Sequence, residues 1–339
     1  MRPLDRRRLL ARLGVAAAAA SLPAAEAFAA TAAEGNFASH PRWKFHFLSF
    51  MTTSPVFVPL QYGIQDACAL VGCTFAWGGT AKGDSRELAK AVDAAVTAKA
   101  DGIAVTLADP AALAAPFGRA RKAGIPLVAF HADAPHARRL AYIGHDRRAA
   151  GAQIGSRIAK AVGKGEVLLF VGTIDAPVAK PTLDGVLAAL GSSAVHPTVV
   201  DTGRDVYAQM AAIEKQLLVN EELRGMFAFD VGSTQGITSA LKKHRPDGER
   251  IKAGGYGVLP ATLELIDDGR LDFAVDEQPY LQGFATVVQL FLAKLSGGLA
   301  GPSDVRTGPI LITRENVKPY LTTRTRYEGS SSKQKYPIA

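Results

Sequence analysis

The sequence predicts an α/β protein made of two doubly wound parallel-sheet lobes. From Trp43 onward, short apolar strands alternate with amphipathic helices, and the same rhythm restarts after Asp146. Serial strand–helix–strand units imply parallel sheets with helices on both faces. Setting a leader aside leaves roughly 310 residues, enough for two domains.

The first strand is expected over 43–50, and the first helix over 57–71, where Gly72 ends it. A strand at 73–77 leads to a helix over 87–98 with Leu88, Ala91, Val92, Ala95 and Val96 on one face. A strand at 103–107 precedes a helix opened by Pro110, a residue that the first turn tolerates, and a strand follows at 125–130. In the second half, helices are expected over 147–162, 178–190, 205–219, 232–243, 260–268 and 280–296. The strands between and after them are expected at 166–171, 195–200, 224–229, 250–256, 271–276 and 307–312. Residues 323–339, rich in Ser, Thr, Lys and Arg, read as a flexible tail.

The first 29 residues read as an export signal. Arg6, Arg7 and Arg8 precede an Ala-rich apolar run over 13–22 and then Ala27-Phe28-Ala29, a small-residue cleavage pattern. Consecutive arginines fit the twin-arginine type of signal. The apolar run is too short to span a bilayer stably. The mature chain is expected to begin near Ala30, in the periplasm.

Composition narrows the function further. The formal charge is +8, of which the leader supplies +3, so about +5 remains. There is no stripe of Lys and Arg with interleaved aromatics, and no nucleic-acid partner is expected. Cys68 and Cys73 allow either a disulfide in an oxidising compartment or two buried thiols. Two cysteines and seven scattered histidines suggest no metal centre, and no cofactor is expected.

In open parallel sheets, ligands bind beyond the carboxyl ends of the strands. Those positions hold Thr52, Thr53, Ser54 and Phe57; Thr106 and Asp109; His131 and Asp133; Thr173 and Asp175; Asp230; Tyr256 and Gly257; and Asp276, Glu277, Gln278 and Tyr280. Hydroxyls, carboxylates, amides and aromatic faces suit a neutral polyol. Each residue also has an ordinary structural reading. Ser54, Thr106 and Thr173 fit turns or caps, Phe57 fits a core, Asp133 and Asp230 fit helix caps, and His131 fits a satisfied structural histidine.

Motifs for a nucleophile elbow, a phosphate-binding loop or a zinc protease are absent, and Gly254-Gly255-Tyr256-Gly257 fails the dinucleotide spacing. The nearest acid–base pair is His131 with Asp133. Two positions apart at a strand end, their side chains are prone to diverge.

Several segments resemble the type I periplasmic solute-binding proteins of ABC importers, of the ribose and simple-sugar kind. They are Thr53-Ser54-Pro55-Val56-Phe57, Phe130-His131-Ala132-Asp133-Ala134-Pro135, Tyr142-Ile143-Gly144-His145-Asp146, Pro181-Thr182-Leu183-Asp184-Gly185, Phe229-Asp230 with Ser233-Thr234, and Asp276-Glu277-Gln278-Pro279-Tyr280-Leu281-Gln282-Gly283. The resemblance covers about 44–320 and implies two lobes joined by a three-crossover hinge that closes on one ligand. The lobes would be 42–145 plus 278–305, and 146–277 plus 306–322.

The resemblance also implies a sugar site drawn from Ser54, Phe57, Thr106, His131, Asp133, Thr182, Asp230, Tyr256 and Gln278. Its partner would be an inner-membrane ABC permease, and a monomer is expected. The chain departs from the family pattern with His131 and Ala132 at the fourth strand end, Thr182 where many members have Arg, and Gly257 where an Asp commonly stands. Losing charged hydrogen-bonding groups implies a different or less hydroxylated ligand. Two alternatives use the same chain. One is a twin-arginine-exported hydrolase acting through His131 and Asp133; the other is a binding protein that serves a membrane receptor.

Overall fold

The structure is a computed structural model that describes residues 39–134, 137–174, 176, 178–220, 222–245, 251–322 and 324–333. The leader read at 1–29 and the strand-end residue Asp175 lie outside the described residues.

In chain order, the first half runs β1 (Lys44–Ser49), α1 (Phe57–Val71), β2 (Thr74–Gly79), α2 (Ser85–Thr97), β3 (Gly102–Val105), α3 (Pro110–Lys122), β4 (Leu127–Phe130) and β5 (Tyr142–Gly144). The second half runs α4 (Arg147–Val162), β6 (Lys164–Val171), α5 (Lys180–Leu190), β7 (Ala194–Asp201), α6 (Val206–Val219), β8 (Gly225–Ala228), α7 (Val231–His244), β9 (Lys252–Tyr256), α8 (Pro260–Asp267) and β10 (Phe273–Asp276). It continues with α9 (Pro279–Leu295), β11 (Val305–Arg306), β12 (Ile310–Ile312) and α10 (Lys318–Thr322). The expected elements are present with bounds moved by a few residues. Three short ones, β5, β11 and α10, have no counterpart in the sequence reading, because two to five residues are too few to show a period.

Two six-stranded sheets form, in the orders β11-β5-β4-β3-β1-β2 and β12-β10-β9-β8-β6-β7. Both are parallel except where β12 runs antiparallel to β10. The chain passes between the sheets three times: after β5, after β10 and between β11 and β12. Apolar layers cover both faces of each sheet. Phe45, Phe47 and Phe130 pack with α1 and α9 on one face of the first, and Leu48, Ile103 and Val105 pack with α2 and α3 on the other.

Aspartates start five of the helices. Asp84, Asp109, Asp146, Asp205 and Asp230 each accept a hydrogen bond from a backbone N–H of the first turn.

Helices α4 and α5 meet backbone to backbone. A Cβ at Gly151 would overlap the carbonyl of Thr182, and one at Gly185 would overlap the carbonyl of Arg148. That close approach seats Thr182 beside the start of α4.

Cys68 and Cys73 are free and buried, so the disulfide alternative is not realised. Burial pushes the thiols up to about 12 and about 11.

Part of the segment expected to be a flexible tail instead makes defined contacts. The Arg326 guanidinium grips both oxygens of Asp66 at 2.8 and 3.0 Å, donates to Gln65 at 2.9 Å, and lies over the Tyr62 ring. Composition alone hides one well-partnered arginine in a polar stretch.

Candidate ligand site between the lobes

Nine buried side-chain polar atoms lack a hydrogen-bond partner among the described residues. They belong to Trp77, His131, His145, Arg147, Thr182, Tyr256, Glu277 and Gln282. Buried polar atoms are normally satisfied, so a concentration of exceptions needs an explanation. His131, His145, Arg147, Glu277 and Gln282 are linked by direct contacts, Thr182 pairs with Tyr256 nearby, and Trp77 reaches His131 through Phe57.

His131 ends β4 in the left-handed region, with φ of 61°. Its ring is stacked on Phe50 at 6.4 Å and met edge-on by Phe57 at 5.1 Å, and Phe57 in turn packs on Trp77. Asp146 caps α4 through the Ala149 N–H and so fixes Arg147 at the first turn. From there the guanidinium donates to the His131 carbonyl at 2.9 Å and lies 3.4 Å from Glu277 Oε1. His145 Nε2 lies 3.6 Å from the same oxygen.

Gln282, in the first turn of α9, donates its amide N–H to the Glu277 carbonyl at 2.7 Å. That contact leaves its own oxygen beside the His131 ring, without a well-formed hydrogen bond. Thr182 lies beside the Tyr256 hydroxyl, which senses both Glu277 and Arg147.

Burial sets the charge of the site. It pushes His131 down to about 3, helped by Arg147, and pushes His145 down to about 4 against the pull of Glu277. Both rings are neutral at pH 7, each with one nitrogen that donates and one that accepts. The set therefore offers donors from Arg147 and Trp77, acceptors from Glu277 and Gln282, and dual groups from Thr182, Tyr256 and the histidines. Phenyl faces stand beside them.

Of the residues expected from sequence, His131, Thr182 and Tyr256 join this set, and Phe57 touches it through His131 while its side chain is core. The others have structural work. Thr106 Oγ1 accepts the Phe50 N–H at 2.7 Å and holds the loop after β1. The backbone of Ser54 closes the turn before α1. Asp133 is gripped by Arg139 at 2.6 and 2.8 Å, so the His131–Asp133 pair of the hydrolase alternative does not form.

Asp230 is the cap of α7. It takes the Ser233 N–H at 2.8 Å and the Ser233 hydroxyl at 2.7 Å. Gln278 has φ of 55° and directs its amide to the Thr307 carbonyl at the third crossing. A cavity of about 300 Å³ lies on that side, lined by Asp276, Gln278, Tyr280, Tyr320, Tyr327 and Glu328, apart from the unpaired set.

Trp77, His145, Arg147 and Gln282 join the set without being singled out by the sequence, where Glu277 stands only as one of several strand-end residues. His145 and Glu277 were legible as neighbours within crossing segments. Arg147 was legible only as the residue after a helix cap. It places a guanidinium from α4 in the set, in a chain that has Thr182 on α5.

Two sheets with facing strand ends, three crossings and a buried polar set between them define a two-lobed ligand-binding protein. The profile of the periplasmic binding protein domain family matches residues 46–298. The xylose/arabinose-binding protein XylF of Sulfolobus acidocaldarius is 40% identical over 318 residues, covering 89% of this chain and 78% of that one. Among solved structures, a carbohydrate transporter protein of Acidothermus cellulolyticus in complex with myo-inositol superposes with a TM-score of 0.74 at 25% identity, covering 86% of this chain and all of that one. A solute-binding protein of Burkholderia graminis in complex with D-arabinose has the same fold, with a TM-score of 0.78 at 21% identity, covering 84% and 99%. The chain belongs to the periplasmic binding protein family.

Proposed function

We propose that this protein is the exported, extracytoplasmic binding component of an ABC importer and carries a small neutral sugar or polyol. The observation that carries the reading is the set of unpaired buried polar atoms, which could satisfy a hydroxylated guest and be satisfied by it. The relative named for xylose and arabinose, at 40% identity, supports a pentose. The Arg6–Arg8 leader supports export, with cleavage near Ala29. The lobes would be 42–145 plus 278–305 and 146–277 plus 306–322, acting as a monomer.

In this reading the open lobes admit the sugar, and closure brings Arg147 and Thr182 of one lobe against His131 and Trp77 of the other. Each hydrogen bond made to Arg147 or Glu277 contributes roughly 1.5–3 kcal/mol, enough to favour the closed form only when the guest is present. Glu277 accepts from a hydroxyl pair, and Phe57 and Trp77 cover the apolar face of the ring.

Thermal melts with D-xylose, L-arabinose, D-galactose and myo-inositol test this. A rise in Tm with at least one, together with a smaller radius of gyration in scattering, is expected. A folded protein that responds to none of them, or one that chemically converts a sugar, overturns it.

A further inference from the structure

We propose that Glu277 restricts this site to uncharged sugars by balancing the guanidinium of Arg147. The inference rests on the sugar reading above and adds which sugars are refused and by which residue.

The site holds one cation and one anion. Arg147 and Glu277 stand 3.4 Å apart, 13% and 9% exposed. The other carboxylates near the crossings are committed elsewhere. Asp276 accepts the Gln278 N–H at 2.8 Å and the Tyr320 hydroxyl at 3.2 Å. Asp230 is held by Ser233, and Asp133 by Arg139. His131 and His145 are neutral, as their burial requires. Nothing else among the described residues of the set carries charge.

A pairing this loose leaves Glu277 Oε1 free to accept from a hydroxyl, yet close enough to cancel the arginine. A guest carboxylate could reach Arg147 only by displacing Glu277, whose remaining neighbour at 3.6 Å is the neutral His145. Two carboxylates would then share one cation in a low-dielectric site. A guest ammonium would meet the same obstacle at Arg147. Discrimination therefore comes from an unpaired charge left behind, the strongest way a buried site rejects a near relative of its ligand.

Glu277→Gln keeps the length and one acceptor while removing the charge. The test is calorimetric titration of wild type and Glu277→Gln with L-arabinose, D-galactose and D-galacturonate. Galactose and galacturonate differ only in the group at the end of the ring, so galactose controls for size. Wild type is expected to bind at least one neutral sugar and to bind galacturonate at least a hundredfold more weakly than that sugar. In Glu277→Gln the neutral sugar should weaken about tenfold, and galacturonate should gain at least tenfold relative to galactose.

Wild type that takes galacturonate as well as its neutral sugar overturns the proposal, even if the variant fails to fold. So does a folded Glu277→Gln that binds a neutral sugar with the discrimination of wild type. Wild type that binds none of the three overturns the sugar reading itself, and this inference with it.

Discussion

Arg147 donates to the backbone carbonyl of His131 at 2.9 Å, joining the first turn of a second-lobe helix to the end of β4 in the first lobe's sheet. The same guanidinium faces Glu277 at the second crossing. One side chain thus touches both lobes and a hinge segment, and its Nε remains unpaired. In the proposed function, binding and closure share that group.

Arg147→Ala should weaken sugar binding at least tenfold. The loss covers a charged hydrogen bond to the guest, about 1.5–3 kcal/mol, and leaves Glu277 buried without its cation. Arg147→Lys should not restore affinity, because an ammonium cannot serve the His131 carbonyl, Glu277 and a guest from one planar group. Calorimetric titration measures this, and unchanged affinity in Arg147→Ala would remove the residue from the site.

Acidification should destabilise the ligand-free fold. His131 and His145 are held at about 3 and about 4 when folded, against 6.5 when free. The unfolded chain therefore binds more protons below pH 6.5, and stability falls as pH drops. From pH 6.5 to 5 each histidine removes about 2 kcal/mol. Asp276, raised by burial to about 6, acts in the opposite sense and gives back about 1 kcal/mol over the unit from pH 6 to 5. Asp230, raised in the same direction, adds to that return. A net loss on the order of 2 kcal/mol is left. Melting temperatures between pH 5 and 7.5 should show it, with a flatter profile for His145→Gln. A profile that is flat in wild type contradicts the neutral, buried histidines.

Legibility from sequence followed the length of the signal. Helices α1 and α4 could be read because a long period ends at a glycine, Gly72 or Gly163. Strand β5 has three residues and no period to read. At the candidate site, strand ends lead to the neighbourhood of the unpaired set and often to residues beside it rather than in it. Gln278 was expected to face the ligand, yet the left-handed backbone there turns it to Thr307 and leaves Glu277 facing the set. Arg147 and Gln282 lie in the first turns of helices, where only the fold shows that they meet Glu277.

Asp230→Ala separates capping from binding. Its carboxylate serves Ser233 and Gln209 rather than the unpaired set, so the substitution should lower stability by about 1–2 kcal/mol, as lost caps do, and leave sugar affinity within threefold. Urea unfolding and titration of the same sample give both numbers. A tenfold loss of affinity with unchanged stability would return Asp230 to the site.

Arg326→Ala tests whether the C-terminal segment is part of the fold. Tyr320 donates to Asp276 beside the second sheet, and six residues later Arg326 is clamped on Asp66 of α1 beneath the first, so the segment ties together elements of both lobes. The arginine is 11% exposed and its partner 24%, which keeps the pair out of the weak surface class. Removing it strands Asp66 with the Tyr280 hydroxyl and frees Tyr327 from a fixed position on Tyr280. A loss of about 2–3 kcal/mol in urea unfolding is expected. Asp66→Ala added to it should cost clearly less than the sum of the two, since both remove the same interaction. If the segment is loose, as its composition suggests, Arg326→Ala will change stability by less than about 0.5 kcal/mol, the range of an ordinary surface substitution.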